Sequence, residues 1–387
     1  MNQPSQINPV DCLPDTDCQQ LQNCRKPAAE AHSIPPVFYI SQTFATREID
    51  RIFRHAWIGV GRADRLANPG DFETLDIAGQ SLILLRDSHG QLRAFANTCR
   101  HRGARLLDGN GNCRGIRCPF HSWAYKLDGT LAGVPRAETI VGFNRSDYGL
   151  IAYQVAERLG FVFVCLDPAA LEIDTWLGDF VALHTPWPIE TLVSTRRREL
   201  TVECNWKAFI EVFNEYYHLP FVHPDSINDV YRDPDQGDAV KGAFASQFGS
   251  TEGTGGLLQT TQQKPLPHMP GLSGREVAGV RYTWVFPNMT FAAGTDALWL
   301  YEAYPLGPNR CQVFQTACFP PETVALTDFD EKVAAYYHRL DAALAEDIPA
   351  LESQHRGLSN PDARPGRFHP HLESNVAGFA YWYAGQM

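Results

Sequence analysis

From Phe72 to Pro168 the chain runs in short apolar or alternating stretches: FETLDIAG, SLILLRDSHG, LRAFANTC, WAYKLDGTL, LIAYQVAERLG and FVFVCLDP. Alternation on a period of two marks half-buried strands, and His89-Gly90, Asp128-Gly129 and Leu159-Gly160 are hairpin punctuation between them. Strands at this rate predict a small antiparallel β domain that ends near Pro168. Ahead of it, Ile49 to Trp57 has helical spacing, and residues 1–36 are polar and read as a poorly structured leader. Beyond Trp176 the period changes. Glu203 to His218 (ECNWKAFIEVFNEYYH) predicts a helix stopped by Pro220. Residues 249–273, rich in Gly, Thr and Gln, read as a mobile loop or lid. Residues 278–320 read as three long strands, and Lys332 to Leu351 as a helix that Pro349 kinks at its end. The fold class is therefore α+β: an all-β unit over 37–168, then an antiparallel sheet flanked by helices over 169–387.

At 387 residues the chain can bury two such cores. No apolar run approaches the roughly 18 residues of a membrane span, and the N-terminus has no apolar signal-peptide core. A cytoplasmic location is expected. The net charge of -11 argues against a nucleic-acid partner, because no basic stripe would neutralise phosphates. Ten cysteines are too sparse for a disulfide scaffold, and a reducing compartment would keep them as thiols. Cys12, Cys18 and Cys24 are evenly spaced but have no His among them, so no metal role is expected there.

The most specific chemical signal is Cys99-Arg-His101, sixteen residues, then Cys118-Pro-Phe-His121. Two thiolates on one iron and two imidazoles on the other make a Rieske [2Fe–2S] centre. Neutral imidazole in place of thiolate leaves the cluster less negative and raises its potential, which suits a one-electron relay. A structural zinc site uses the same residue types, but zinc fingers pair Cys with Cys and His with His, whereas each loop here supplies one of each. Colourless protein would mark the zinc alternative. CRHRGARL (Cys99–Leu106) and CPFHSWAYKLDGTL (Cys118–Leu131) closely resemble the Rieske domains of ring-hydroxylating oxygenase α subunits. Ala104 and Phe120 stand where the respiratory-complex type carries an extra disulfide cysteine in each loop.

A Rieske cluster only stores electrons, so the C-terminal part must supply the chemistry. Within NWKAFIEVFNEYYHLPFVH, His218 and His223 are two ligands of the type a facial triad needs, leaving open positions for dioxygen and substrate. The resemblance implies a helix-grip-like catalytic domain holding mononuclear Fe(II), with Asp347 as the carboxylate ligand. Glu346 and Glu352 are the fallbacks. It also implies that Glu215, on one helical face with His218, bridges that imidazole to a cluster histidine of a neighbouring subunit, which requires a head-to-tail ring and hence a homotrimer. Many relatives carry Asp at that place, and Val212 departs too, since relatives with Glu at the bridge often have Asn there. Glu215 is similar to the subgroup acting on quaternary ammonium compounds such as choline, carnitine and betaines. Aromatic faces suit such a cation, and Phe213, Tyr216, Trp284, Trp299, Tyr301 and Tyr381-Trp382-Tyr383 are candidates. His355, His369 and His371 lack a partner motif.

The implied reaction takes electrons from NAD(P)H through a separate flavin or ferredoxin-type reductase and inserts oxygen from O2 into the substrate. Hydroxylation of an N-methyl group would give a hemiaminal that collapses to formaldehyde and the demethylated amine. The rival enzyme reading is hydroxylation of an aromatic ring or acid. An electron-transfer protein without oxygenase activity is the non-enzymatic alternative, and it would hold about two irons per chain rather than about three. Gly109-Asn-Gly111 lies between the ligand loops and opens no helix, so it is no dinucleotide fingerprint.

Overall fold

The computed structural model describes residues 15–387, with side chains from Gln19 onward. An N-terminal seven-stranded antiparallel sheet orders its strands 58–62, 161–165, 152–158, 92–96, 80–86, 71–77 and 110–112. A three-stranded sheet (116–117, 124–125, 131–133) carries the second ligand loop. The turn at Leu159-Gly160 has both residues at positive φ (52° and 69°), the two-residue hairpin whose twist matches that of its strands. A Cβ on Gly160 would also lie 2.7 Å from the buried Arg62 guanidinium. Ile49 to Trp57 departs from its expected regular helix: Ile49–Phe53 is a π-helical turn, and Ile58–Arg62 follows as a strand.

The C-terminal sheet is also seven-stranded and antiparallel, in the order 193–202, 311–319, 298–305, 289–293, 279–285, 244–251, 231–234. Where three strands were expected over 278–320 there are four, since the chain turns at residues 286–288 between Gly279–Val285 and Met289–Ala293. Val193–Val202 escapes the alternation rule because its Thr-Arg-Arg-Arg-Glu run is polar throughout, with Arg196 pairing with Asp341 and Gln315 and Arg197 with Glu302. The long helix Phe329–Leu358 crosses one sheet face, with Pro349 inside it, and runs beyond both ends expected from sequence. The C-terminal helix Ser374–Gln386 packs on the strands 244–251 and 279–285.

The leader is structured from Asp15 on: Asp15–Cys24 is a helix packed against Ser374–Gln386, with Leu21 and Cys24 buried. Its amphipathic spacing was masked by Gln and Asn. Residues 1–14, including Cys12, and the Cys18 side chain lie outside the described residues. The stretch after Thr251 is tethered rather than free. Leu266 and Met269 are buried, the Leu266 N–H donates to the Tyr336 hydroxyl (2.9 Å), and the Thr254 hydroxyl donates to Asp296 (2.6 Å).

One interior element fixes the site helix. Lys207 is fully buried and donates to Glu48 (2.5 Å), the Phe38 carbonyl (2.9 Å) and Asn205 (2.9 Å). Removing one member of a buried ion pair leaves the other uncompensated. Lys207→Ala is therefore expected to cost about 3–5 kcal/mol, read as a fall in the urea midpoint; an unchanged midpoint would refute this anchoring role.

Candidate active site

The two cysteine–histidine loops present their donors in a sorted way. Cys99 and Cys118 are buried, His101 is exposed and His121 half-buried. Tight turns close each loop: Gly103 N–H donates to the Cys99 carbonyl (2.9 Å) and Ser122 N–H to the Cys118 carbonyl (3.1 Å). The Tyr125 hydroxyl lies 3.3 Å from Cys99 Sγ and accepts from the Arg100 N–H at 3.0 Å. Burial pushes the Cys118 thiol up, but the N–H groups of His121 and Phe120 and the Cys99 thiol outweigh it and hold it below its ordinary value. The two imidazoles meet edge to face at 4.7 Å, and His101 stacks on Trp123 at 4.9 Å. Two thiols inside and two imidazoles at the rim fit a cluster with sulfur on one iron and nitrogen on the other.

The helix expected to run from Glu203 to His218 is only Trp206–Phe213. Asn205 caps its start by accepting from the Lys207 N–H at 3.1 Å. Asn214 ends it, its side chain donating to the Ile210 carbonyl (2.8 Å) and accepting from the Thr290 hydroxyl (3.1 Å). Pro220 does not stop that helix; it sits in the first turn of the next, Leu219–Val222, where its missing N–H leaves no hydrogen bond unmade. Glu215 and His218 consequently share a bend rather than a helical face. The Glu215 carboxylate accepts from the N–H groups of Tyr217 and His218 (3.1 Å for the latter) and closes on His218 Nδ1.

His223 is held likewise. Its Nδ1 lies 2.6 Å from Glu346, which also accepts from the Ser226 hydroxyl at 2.6 Å. With both Nδ1 atoms engaged, both Nε2 atoms turn to Asp347: Oδ1 is 3.7 Å from that of His218 and 2.9 Å from that of His223. One ligand atom from each of the three lies within 4.8 Å of the others. A neutral imidazole carries a single N–H. If His223 gives it to Glu346, its Nε2 lone pair faces a buried carboxylate oxygen that has no hydrogen-bond partner. A cation between them makes that arrangement favourable, and the outer carboxylates set the tautomers as they do behind metal-bound histidines. Glu346 thus stands behind His223, and Glu352 lies outside the group. His355 and His369 bond elsewhere, to Asn309 and to the Leu372 N–H.

In front of the triad is a cavity of about 40 Å³, walled by Phe213, Tyr216, Tyr231, Tyr282, Tyr301 and Arg339. Three of the aromatics named from sequence are there. Trp284 instead stacks on Phe379 at 3.9 Å, Trp299 lies beneath Arg339, Tyr381 and Trp382 line a separate groove, and Tyr383 is buried against Glu48. Tyr231, Tyr282 and Arg339 went unnoticed. Arg339 carries a legible signal, since it precedes Asp347 by two four-residue helical steps; the tyrosines sit on strands with no motif. Behind Glu215 lies a second cavity of about 330 Å³ containing Glu211 and Glu373. Desolvation pushes Glu211 up to about 7 against the Tyr39 hydroxyl that donates to it at 2.6 Å.

Residues 56–144 match the Rieske [2Fe-2S] domain family, and residues 189–387 match the ring hydroxylating alpha subunit (catalytic domain) family. The carnitine monooxygenase oxygenase subunit of Escherichia coli (strain K12) is 34% identical, covering 92% of this chain and 90% of that protein. The chloroplastic choline monooxygenase of Spinacia oleracea is 27% identical over 92% of this chain and 78% of its own length. A solved quaternary ammonium Rieske monooxygenase in complex with L-carnitine superposes with TM-score 0.77 at 25% identity, covering 95% of this chain and 98% of that one. The chain belongs to the ring-hydroxylating α-subunit family of Rieske oxygenases. It is an oxidoreductase that uses a [2Fe–2S] cluster and a mononuclear iron, works with a separate reductase and oligomerises. That membership removes the zinc-module and bare electron-transfer alternatives. Among the described residues no helix is long and apolar enough to cross a membrane.

Proposed function

We propose that the chain is the terminal oxygenase of a system that hydroxylates or N-demethylates a quaternary ammonium compound. The observation that carries this is the wall of aromatic rings in front of His218, His223 and Asp347. A tetraalkylammonium has no N–H to donate, so ring faces are what can hold it. The relatives named for carnitine and choline point the same way. In the proposed assignment Cys99, His101, Cys118 and His121 hold the cluster, and His218, His223 and Asp347 hold the iron. The bound iron supplies dioxygen activation. Around it, Glu215 and Glu346 fix the two imidazoles, and the rings orient the methyl group and exclude water. The balance is one O2, two electrons and two protons per methyl group: one oxygen atom enters the C–H bond and the other leaves as water. The carbinolamine then releases formaldehyde, its C–N electron pair staying on nitrogen.

Electrons are proposed to come from NAD(P)H through a flavin or ferredoxin-type reductase, in the cytoplasm, where the described cysteines other than Cys99 and Cys118 would stay as thiols. The working form is proposed to be a homotrimer in which Glu215 bridges His218 to a cluster imidazole of a neighbouring copy, so that the electron passes from cluster to iron across that contact. Bare apolar groups at both centres support this: Phe120 is 60% exposed beside His121, and Phe221 is 76% exposed near His218. Two such patches on one chain suit a head-to-tail ring.

Oxygen uptake with a surrogate reductase tests the substrate class. Trimethylammonium compounds should stimulate substrate-dependent O2 consumption with formaldehyde release. Stimulation by aryl carboxylates alone would transfer the chain to aromatic hydroxylation. Cys99→Ala is expected to remove the visible absorption and about two irons per chain; a variant that stays coloured would refute the cluster assignment.

A further inference from the structure

The cavity in front of the triad contains one charge that the chain itself leaves unanswered. Four Lys or Arg side chains are buried among the described residues: Arg62, Lys207, Arg281 and Arg339. The first three each have a carboxylate, Asp64 at 3.6 Å, Glu48 at 2.5 Å and Asp238 in direct contact. Arg339, only 3% exposed, forms no ion pair with any described carboxylate. Its Nη2 donates to the Tyr231 hydroxyl at 2.7 Å, its guanidinium lies 4.9 Å over the Trp299 ring, and its Nε has no partner. The Tyr216 hydroxyl, on the same cavity wall, is buried and unpartnered as well. Phenols and an indole face do not neutralise a guanidinium, and an uncompensated buried charge is among the costliest things a fold can hold.

The long helix places this charge at a definite distance from the metal ligands. Arg339, Ala343 and Asp347 follow at four-residue steps on one face, and all three line the cavity. Eight residues span about 12 Å of helix axis, and the small Ala343 lines the cavity between the two ends. One end offers the triad and the rings of Phe213 and Tyr216; the other offers a planar fork of donors that matches a carboxylate.

We propose that Arg339 is the counter-ion for a carboxylate on the substrate, which makes the substrate a zwitterionic betaine rather than a neutral amino alcohol of the choline type. This rests on the quaternary ammonium reading and narrows it. The cationic head lies against the aromatic wall with a methyl group toward the triad, and the anionic tail reaches Arg339. Substrate binding then places a carboxylate against Arg339. Arg339 acts as a specificity-determining residue, and it touches no reacting atom.

The experiment compares γ-butyrobetaine with its methyl ester, using the iron-loaded trimer and a surrogate reductase. The ester keeps the trimethylammonium and loses only the negative charge. Wild-type kcat/KM should favour the acid by at least about 100-fold, the scale on which a site rejects an analogue that leaves its polar groups unpaired. Arg339→Gln should collapse that ratio to within about threefold of unity, acting mainly through KM for the acid, with iron content unchanged. Equal turnover of acid and ester by the wild type would overturn the proposal while leaving the quaternary ammonium reading intact, as would a variant that keeps the preference. Turnover of choline but not of the acid would likewise overturn the proposal alone, and failure of every trimethylammonium compound would sink both. The wild-type comparison needs no substitution, so it decides the matter even if the variant does not fold.

Discussion

Glu215→Gln is expected to purify with its full visible spectrum and full iron content, yet to lose at least about 100-fold in turnover. The carboxylate does two things at once. It accepts from two backbone N–H groups, which fixes its own position, and it holds His218 Nδ1, which fixes the imidazole. Glutamine keeps the size and one acceptor but removes the charge that polarises the ring and couples it to an approaching cluster histidine. The expected signature is a pre-reduced cluster that reoxidises slowly when O2 and substrate are added together. If loss of activity instead followed loss of iron, Glu215 would be a scaffold for His218 alone. Wild-type reoxidation rates would refute the relay outright.

Asp347→Ala is expected to show the converse: colour and cluster iron retained, the third iron lost, and no measurable product. Total iron should fall from about three to about two per chain. The reason is geometric. Asp347 Oδ1 is the one atom facing both Nε2 nitrogens, and no neighbouring carboxylate can replace it, because Glu346 is occupied behind His223. Glu346→Gln should behave differently, with weakened iron binding of roughly 10–100-fold rather than its loss. Retention of the third iron in Asp347→Ala would return the ligand role to Glu346.

What the sequence made legible here was chemistry with fixed local spacing. The cluster loops could be read because each pairs its Cys and His within three residues, and hairpin turns such as Leu159-Gly160 announce themselves through the conformation they demand. The strands 278–320 were recognisable as strands because their residues are buried on both faces and β-branched or aromatic. Features set by tertiary context were harder to read. The helix Trp206–Phe213 ends at Asn214 because that side chain finds Thr290, seventy-six positions away, and nothing in EVFNEYYH announces it. The leader helix forms because Leu21 and Cys24 find cover on Ser374–Gln386. Val193–Val202 is a strand whose arginines meet partners from the long helix and the neighbouring strands. In the site, the ligands follow a motif, whereas the pocket wall is assembled from strands and a helix that meet only in the fold. This is why Tyr231 and Tyr282 emerge from the structure alone, whereas Arg339 stands two helical steps before Asp347 in the sequence.

The division of labour also explains the arrangement of burial. The cluster keeps its thiols inside and its imidazoles at the rim, and Glu215 opens from the iron cavity to the one behind it. In the proposed relay, electrons would reach His218 by way of Glu215 from the side facing away from the substrate pocket.

A single-turnover experiment tests the whole account most directly. Protein reduced beforehand, freed of reductase and mixed with O2 and a trimethylammonium carboxylate should regain its oxidised spectrum as formaldehyde forms in step. The same protein carrying Asp347→Ala should do neither at a comparable rate. Product formed by a chain lacking the third iron, or full cluster reoxidation with substrate present and no product, would contradict it.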